Sequence, residues 1–427
     1  MRWRTNLLLV SILLLGACNL PGPAAGTPTP TPTIPAPFSR ATDTLIPTAI
    51  KQAVVSSTTA PPEQRLTSTP TATPLPTERT MGEWIAYIGV DENVWLIDPI
   101  SGERQQITTD AVRMQPGTNE TSRTYCCPKW SSDGNYLAYR QQVSTPHESG
   151  YSYIQILWIY AVDSGEQSIL FEADQVPGYD WRPGTHQLAY SVPIDMDYFL
   201  GVQQGDAKQY ATGIWGIDIK ENLPFELVSP DRGYAIVFPR WSPDGRYLGF
   251  DEVMGMEGRG LFAYYDFDQE VYQAWDEVIG GYSWSSDSSL LAYDRLAYVP
   301  TGDERIWVNT IQNDDERAVS PVYDIGYAFG PVFAPDGYNL AYLAGLQGAD
   351  SSLYNIIVDN LSVGEPVDLG RFENVQSLSW SADVRSLVFS AGPYDQPEIF
   401  EIIIEDLEHR VLAAGRQPAW QPKVELE

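Results

Sequence analysis

The chain has 427 residues, with 56 acidic and 26 basic side chains and a formal charge of −30. Such an acid excess repels phosphate and excludes nucleic acid as the natural partner. Aromatics at 12%, with 34 Gly and 33 Pro against only 19% charged residues, favour short strands and tight turns over helix bundles or coiled coils.

Residues 1–17 read as a signal peptide. Arg2 and Arg4 precede an apolar run from Leu7 to Leu15, broken only by Ser11, and the small residues Gly16 and Ala17 lead into Cys18. The run is short for a membrane span. Leu15-Gly16-Ala17-Cys18 resembles the lipobox of bacterial lipoproteins. The resemblance implies cleavage before Cys18 and acylation (palmitate and its like) of its sulfur and new amino group. Several acyl chains, each worth about 0.8 kcal/mol per buried CH₂, would anchor the chain in a lipid bilayer. An exported lipoprotein of a bacterial cell envelope or outer surface is the expectation.

Residues 18–80 form the lipid anchor and a Pro/Thr-rich linker. Thr27-Pro28-Thr29-Pro30-Thr31-Pro32-Thr33 alternates almost purely, and Pro70 to Pro76 repeats the theme. Proline removes backbone donors, and the segment has too few large apolar side chains for a core. It reads as a disordered, semi-extended stalk with a contour of roughly 190 Å at about 3.1 Å per residue. Residues 1–80 hold six basic and three acidic side chains, so the remainder carries −33.

Residues 81–427 contain a recurring unit. Trp130-Ser-Ser-Asp-Gly-Asn-Tyr-Leu-Ala-Tyr139 returns at Trp181, Trp241, Trp284, Phe333 and Trp380, and a seventh second half appears as Trp84-Ile85-Ala86-Tyr87. Each copy continues into a strand with a central aromatic (Trp95, Trp158, Trp215, Phe262, Trp307, Tyr354, Phe400), a polar turn and a last short strand. Four antiparallel strands per unit follow. Asp-Gly suits the first turn, since glycine accepts positive φ; Asp287-Ser288 and Asp383-Val384 lack it and predict a differently shaped or strained turn. One small sheet cannot bury both faces, whereas sheets stacked around an axis can. The chain is therefore expected to be an all-β, seven-bladed β-propeller, with six blades as the alternative. The C-terminal Trp420 strand would pair with the strands beginning near Trp84 and remove two exposed sheet edges.

These Trp-Ser-x-Asp-Gly repeats resemble the TolB-like, WD-repeat-like propeller family over residues 82–422. The resemblance implies the fold and an envelope setting. The resemblance extends neither to the N-terminal α/β domain of TolB, in whose place the stalk stands, nor to the α/β-hydrolase domain of the related peptidases, so TolB's role and peptidase activity are not expected to carry over.

The chemical candidates are weak. No G-x-S-x-G occurs, and His147, His186 and His409 are scattered among loops and turns. Asp195-Met-Asp197, Asp266-Phe-Asp268-Gln-Glu270 and Asp314-Asp315 could offer oxygens to Ca²⁺ but match no EF-hand. No catalytic residue, metal or cofactor is assigned. Cys126 and Cys127 are read as two free thiols, a bond between neighbours being the alternative. The variable connections lie on one face, and Asp195, Asp197, Tyr198, Tyr153 and Asp303 are its ligand candidates. Lys129, Asp180 and Arg240, each preceding a motif Trp, would line the central channel; a local structural ion pair is the plainer reading. The functional expectation is non-catalytic binding of a protein or glycan. A polysaccharide hydrolase or lyase, and a structural part of an envelope assembly, are the alternatives.

Overall fold

The structure is a computed structural model that describes residues 84–422, apart from 115–118, 148–149, 192–212, 233, 254–259, 276–277, 296–304, 321–325, 347–351 and 365. All of these lie in the compact unit Ser68–Glu427. Cys18, Asp195, Asp197, Tyr198 and Asp303 lie outside the described residues.

Five sheets have four antiparallel strands each, and a sixth has seven. The seven-stranded sheet contains two four-stranded units that share one long strand, His409–Trp420. Its first half pairs with Glu398–Ile403 and its second half with Ile85–Gly89. The described strands thus make seven four-stranded units. Unit one is 85–106 with the second half of the shared strand. Units two to six span 122–173, 179–228, 235–274, 279–318 and 326–373, and unit seven is 376–403 with the first half of the shared strand.

The hydrophobic core is divided among the interfaces between consecutive units. Trp84, Leu96, Trp130 and Tyr139 join units one and two. Leu157, Val176 and Trp181 join two and three; Ile214, Trp241 and Phe250 join three and four. The series continues through Phe262 with Trp284, Val308 with Phe333, and Leu343 with Trp380. Ile85 and Tyr87 against Val388 and Ile399 close it from seven back to one. Each aromatic of this size buries on the order of 150–250 Å², which is what a thin wedge-shaped sheet lacks by itself. The ring is the β-propeller expected from the repeats.

At three of the interfaces the motif Trp also donates a hydrogen bond to the neighbouring unit. Nε1 of Trp130, Trp181 and Trp380 reaches the carbonyls of Ala419, Lys129 and Val332 at 3.0 Å, in each case the residue before the motif aromatic of the preceding unit. Within the turn, Ser131 Oγ donates to Asp133 at 2.5 Å and accepts from Tyr136 N at 2.9 Å, while Asp133 accepts from Asn135 N at 3.1 Å. Ser242/Asp244, Ser285/Asp287 and Ser381/Asp383 repeat the clamp. The Ser285 hydroxyl holds the Asp287 carboxyl below its ordinary value.

The two turns without glycine keep the same conformation. Ser288 (φ 59°) and Val384 (φ 64°) stand where Gly134 and Gly245 have φ 66° and 71°. Ser288 gains a bond, its Oγ accepting from Asp244 N of the preceding unit at 3.0 Å. Val384 makes no such bond among the described residues, and a left-handed conformation costs an L-residue about 1–2 kcal/mol. Val384→Gly is expected to raise the thermal midpoint by a stabilisation of about 1 kcal/mol, measured by calorimetry.

Cys126 and Cys127 correct the free-thiol expectation: they are joined in a disulfide. In a regular strand adjacent side chains point to opposite faces, but Cys127 is at φ 64° and the pairing register shifts between Cys126 and Lys129. The break recurs three residues before the motif aromatic at Phe238, Gly330, Ser377 and Gln417, all with positive φ. It is therefore a property of the repeat.

Candidate functional site

First strands of neighbouring units contact one another, so the residues preceding the motif aromatics are brought together on the inner side of the ring. Lys129 Nζ lies 2.9 Å from Asp180 Oδ1 in the next unit. Asp180 Oδ2 accepts the backbone N–H of Trp241 at 2.8 Å. Arg240 does not join that pair. Its Nη1 donates to the Tyr282 carbonyl at 2.7 Å, and its guanidinium stacks over the Tyr282 ring at 5.0 Å. Asp180 thus clasps units two, three and four. Asp180→Ala is expected to destabilise the fold by about 2–3 kcal/mol, since it leaves a backbone N–H and an ammonium without their acceptor. Asp180→Asn, which keeps an acceptor, should lose less, by chemical denaturation.

A second inner layer was not singled out from the sequence. In units three and five the residue after the Tyr of the second strand reaches the bulge of the next unit. Ser191 Oγ accepts from Phe238 N at 3.1 Å. Asp294 Oδ2 accepts from Gly281 N at 2.9 Å and from Gly330 N at 2.7 Å. Arg140 points its guanidinium at Cys127 Sγ, 3.6 Å away, and donates to the Val176 carbonyl. Asp294 also explains the adjacent glycines. A Cβ on Gly280 would lie 2.0 Å from its Oδ1, and one on Gly281 would lie 3.2 Å from the Gly330 Cα. Burial pushes the Asp294 carboxyl up, against the three backbone N–H groups that hold it. Asp251 occupies the same position in unit four; burial pushes it to about 7, with Arg240 pulling the other way. The available signal was a carboxylate directly after a buried aromatic, Phe250-Asp251 and Tyr293-Asp294.

Of the ligand-face candidates, Tyr153 is described. It lies on the long hairpin Tyr136–His147 and Gly150–Ala161. Neighbouring strands of its own sheet pair with the hairpin only as far as Ser144 and Gln155. Beyond them the hairpin continues as Thr145↔Ser152, Pro146↔Tyr151 and His147↔Gly150. Tyr151 and Tyr153 are 37% and 47% exposed, with ring centroids 6.4 Å apart. The alternation of strand side chains puts both on one face with Pro146, a neutral aromatic strip on an acidic protein.

Among the described residues no group of three His, Cys, Asp or Glu could hold a metal ion. Asp266, one of the Ca²⁺ candidates, is engaged by Arg246 at 2.7 Å. His186 sits edge-on to Tyr136, and His409 edge-on to Phe372. What the inner face offers is structural clasps, and what the hairpin offers is contact surface.

No family model matches the chain. The uncharacterized peptidase YuxL of Bacillus subtilis (strain 168) is 26% identical over 229 residues, which is 53% of this chain and 30% of that protein. The chain therefore spans less than a third of that relative's length. Among solved structures, a prolyl endopeptidase superposes with a TM-score of 0.54 at 14% identity, covering 76% of this chain and 46% of that one. An oligogalacturonate lyase in complex with manganese gives 0.53 at 13%, covering 79% and 86%. TolB from Acinetobacter baumannii gives 0.46 at 14%, covering 71% and 83%. Taken with the closed ring of antiparallel sheets, the two likenesses above a TM-score of 0.5 bear on architecture alone, and in architecture the chain is a β-propeller.

Proposed function

We propose that this chain is a membrane-anchored, surface-exposed binding propeller. Cys18 carries the lipid, residues 18–80 space the domain from the bilayer, and the projecting hairpin of unit two meets a protein or glycan partner without catalysis. The observation that carries this reading is the pair Tyr151 and Tyr153, exposed side by side on a hairpin that outruns its own sheet. Rigid amphipathic rings supply contact area at low entropic cost, and a propeller wall holds them in place.

Two measurements test it. Cys18→Ala should move the protein from the membrane to the soluble fraction on detergent partitioning, and unchanged partitioning would refute the anchor. Tyr151→Ala with Tyr153→Ala should reduce capture of envelope glycans or proteins at least tenfold while leaving the thermal midpoint within about 1 °C; undiminished capture would refute the hairpin's role.

A second reading is favoured by the 26% identity to a peptidase. On that reading the propeller is the non-catalytic part of a peptide-hydrolysing system. Peptide turnover by the full chain, measured with a fluorogenic peptide library, would support it over the first.

A further inference from the structure

Between the last strand of unit five, Asp315–Ala318, and the third strand of unit six, Leu353–Asn360, with the turn that follows it, lies a cleft of about 210 Å³. Arg317 and Asp359 stand among its lining residues, with Val319, Leu361 and Pro366 supplying apolar surface.

Asp359 has no counterpart in the repeat. It pairs across the sheet with the motif leucine, Leu340. The residues opposite the equivalent position in the other units are Ile97, Tyr160, Ile217, Tyr265, Asn309 and Ile402. None of these is charged. The duty of holding the following turn falls on the next residue, Asn360, whose Oδ1 accepts from Ser362 N at 3.1 Å. Asp218 does the same for Lys220 N at 2.9 Å in unit three. Asp359 is therefore not the turn's carboxylate.

It is also buried and unsatisfied. Asp359 is 4% exposed, and its Oδ1 has no hydrogen-bond partner. Burial pushes its carboxyl up while the charge of Arg317 pulls it down. Leaving a buried carboxylate oxygen without a donor costs on the order of 1–3 kcal/mol or more. A fold that filled this register with isoleucine or tyrosine elsewhere had a cheaper choice. Arg317 forms no ion pair within 4.0 Å among the described residues, so the guanidinium also has donors to offer.

We propose that this cleft binds a free aliphatic α-amino acid, its ammonium on Asp359 and its carboxylate on Arg317. One acid and one base on the walls sum to zero charge. That disfavours a simple cation or anion and favours a ligand carrying both signs. The cleft holds the equivalent of roughly seven waters at about 30 Å³ each, room for a zwitterion with a short side chain against Val319, Leu361 and Pro366. The ammonium would pair with the Asp359 carboxylate where it lines the cleft, in a charge-assisted bond about twice as strong as a neutral one. Arg317 can take a carboxylate through two parallel N–H donors.

Isothermal titration of the full chain with L-valine, N-acetylvaline and valinamide tests the proposal. L-valine should bind saturably, and each blocked form should bind at least tenfold more weakly. Arg317→Gln, a change at an exposed side chain, should weaken L-valine at least tenfold with an unchanged thermal midpoint. Asp359→Asn should do the same, and Arg317→Gln remains decisive if Asp359→Asn shifts the midpoint. No saturable binding of L-valine at millimolar concentration would overturn the proposal. So would valinamide binding as tightly as L-valine, or an affinity unmoved by Arg317→Gln.

Discussion

Removal of residues 409–427 is expected to abolish the single cooperative unfolding transition of the propeller. The strand His409–Trp420 belongs to two units at once, completing unit seven with one half and unit one with the other. Its loss exposes two sheet edges. The interface of unit one with unit two also loses specific bonds. Gln417 Oε1 no longer accepts Cys127 N (2.9 Å), the Ala419 carbonyl no longer accepts Trp130 Nε1 (3.0 Å), and Gln421 Nε2 no longer donates to the Gly134 carbonyl (2.8 Å). Glu92, whose side chain is 9% exposed, loses Arg416 and keeps only the more exposed Arg113. Each hydrogen bond is worth about 1 kcal/mol, and an orphaned buried partner costs more. With the buried side of Ile85, Tyr87 and Val388 uncovered as well, the loss is comparable to the 5–15 kcal/mol that stabilises an ordinary domain. The truncated chain should bind a hydrophobic dye and melt without a sharp calorimetric peak. A sharp peak near the full-length midpoint would mean the ring does not depend on its closing strand. Gln417→Ala, which removes one acceptor only, should cost about 1–2 kcal/mol and keep the peak.

Much of this architecture was legible because it is repetitive. Trp-Ser-x-Asp-Gly recurs often enough to give strand order, turn chemistry and the position of the wedge aromatics, and Trp84 and Trp420 at opposite ends of the repeats revealed the closure. The Lys129–Asp180 pair was legible for the same reason, since both residues occupy the same register in consecutive units. Arg240, in the same register, bonds Tyr282 and not Asp180. Its long side chain turns forward onto Tyr282, and register does not fix rotamer. The bulge at Cys127, Phe238, Gly330, Ser377 and Gln417 was hidden because five different side chains occupy it, and only the backbone conformation is shared. Ser191 and Asp294, which satisfy that bulge from the preceding unit, were hidden with it, and the Cys126–Cys127 disulfide was visible only as the alternative to two free thiols. The ligand-face loops carry Asp195, Asp197, Tyr198 and Asp303, which lie outside the described residues, so Tyr153 is the one ligand-face candidate whose place in the fold is described.

Asp251 should make the propeller less stable as the pH rises. Its carboxyl is pushed from an ordinary 3.8 to about 7 in the folded chain, first by burial, with Arg240 opposing. Between those two values the folded state holds a proton that the unfolded chain has released. Stability is therefore greatest, as far as this group is concerned, below about pH 4, and it falls as the pH climbs toward 7. Above that the full penalty of about 4 kcal/mol is in force, at about 1.36 kcal/mol per pH unit over about three units. Asp294, raised by burial in the same layer, works in the same direction. Asp251→Asn places a neutral side chain of nearly the same shape at the site. It should be more stable than the parent at pH 8 by up to about 4 kcal/mol, equal to it near pH 4, and intermediate at pH 6. Urea midpoints of the two proteins across that range would show the difference opening with pH. A constant difference would mean the carboxyl titrates near its ordinary value and is solvated in the fold. A difference that favoured the parent throughout pH 4–8 would mean Arg240 dominates and holds the carboxylate ionised in the fold. The opening difference would identify this inner layer as a place where the chain keeps a buried acid at a cost in stability, as it does at Asp359 on the unit five–six interface.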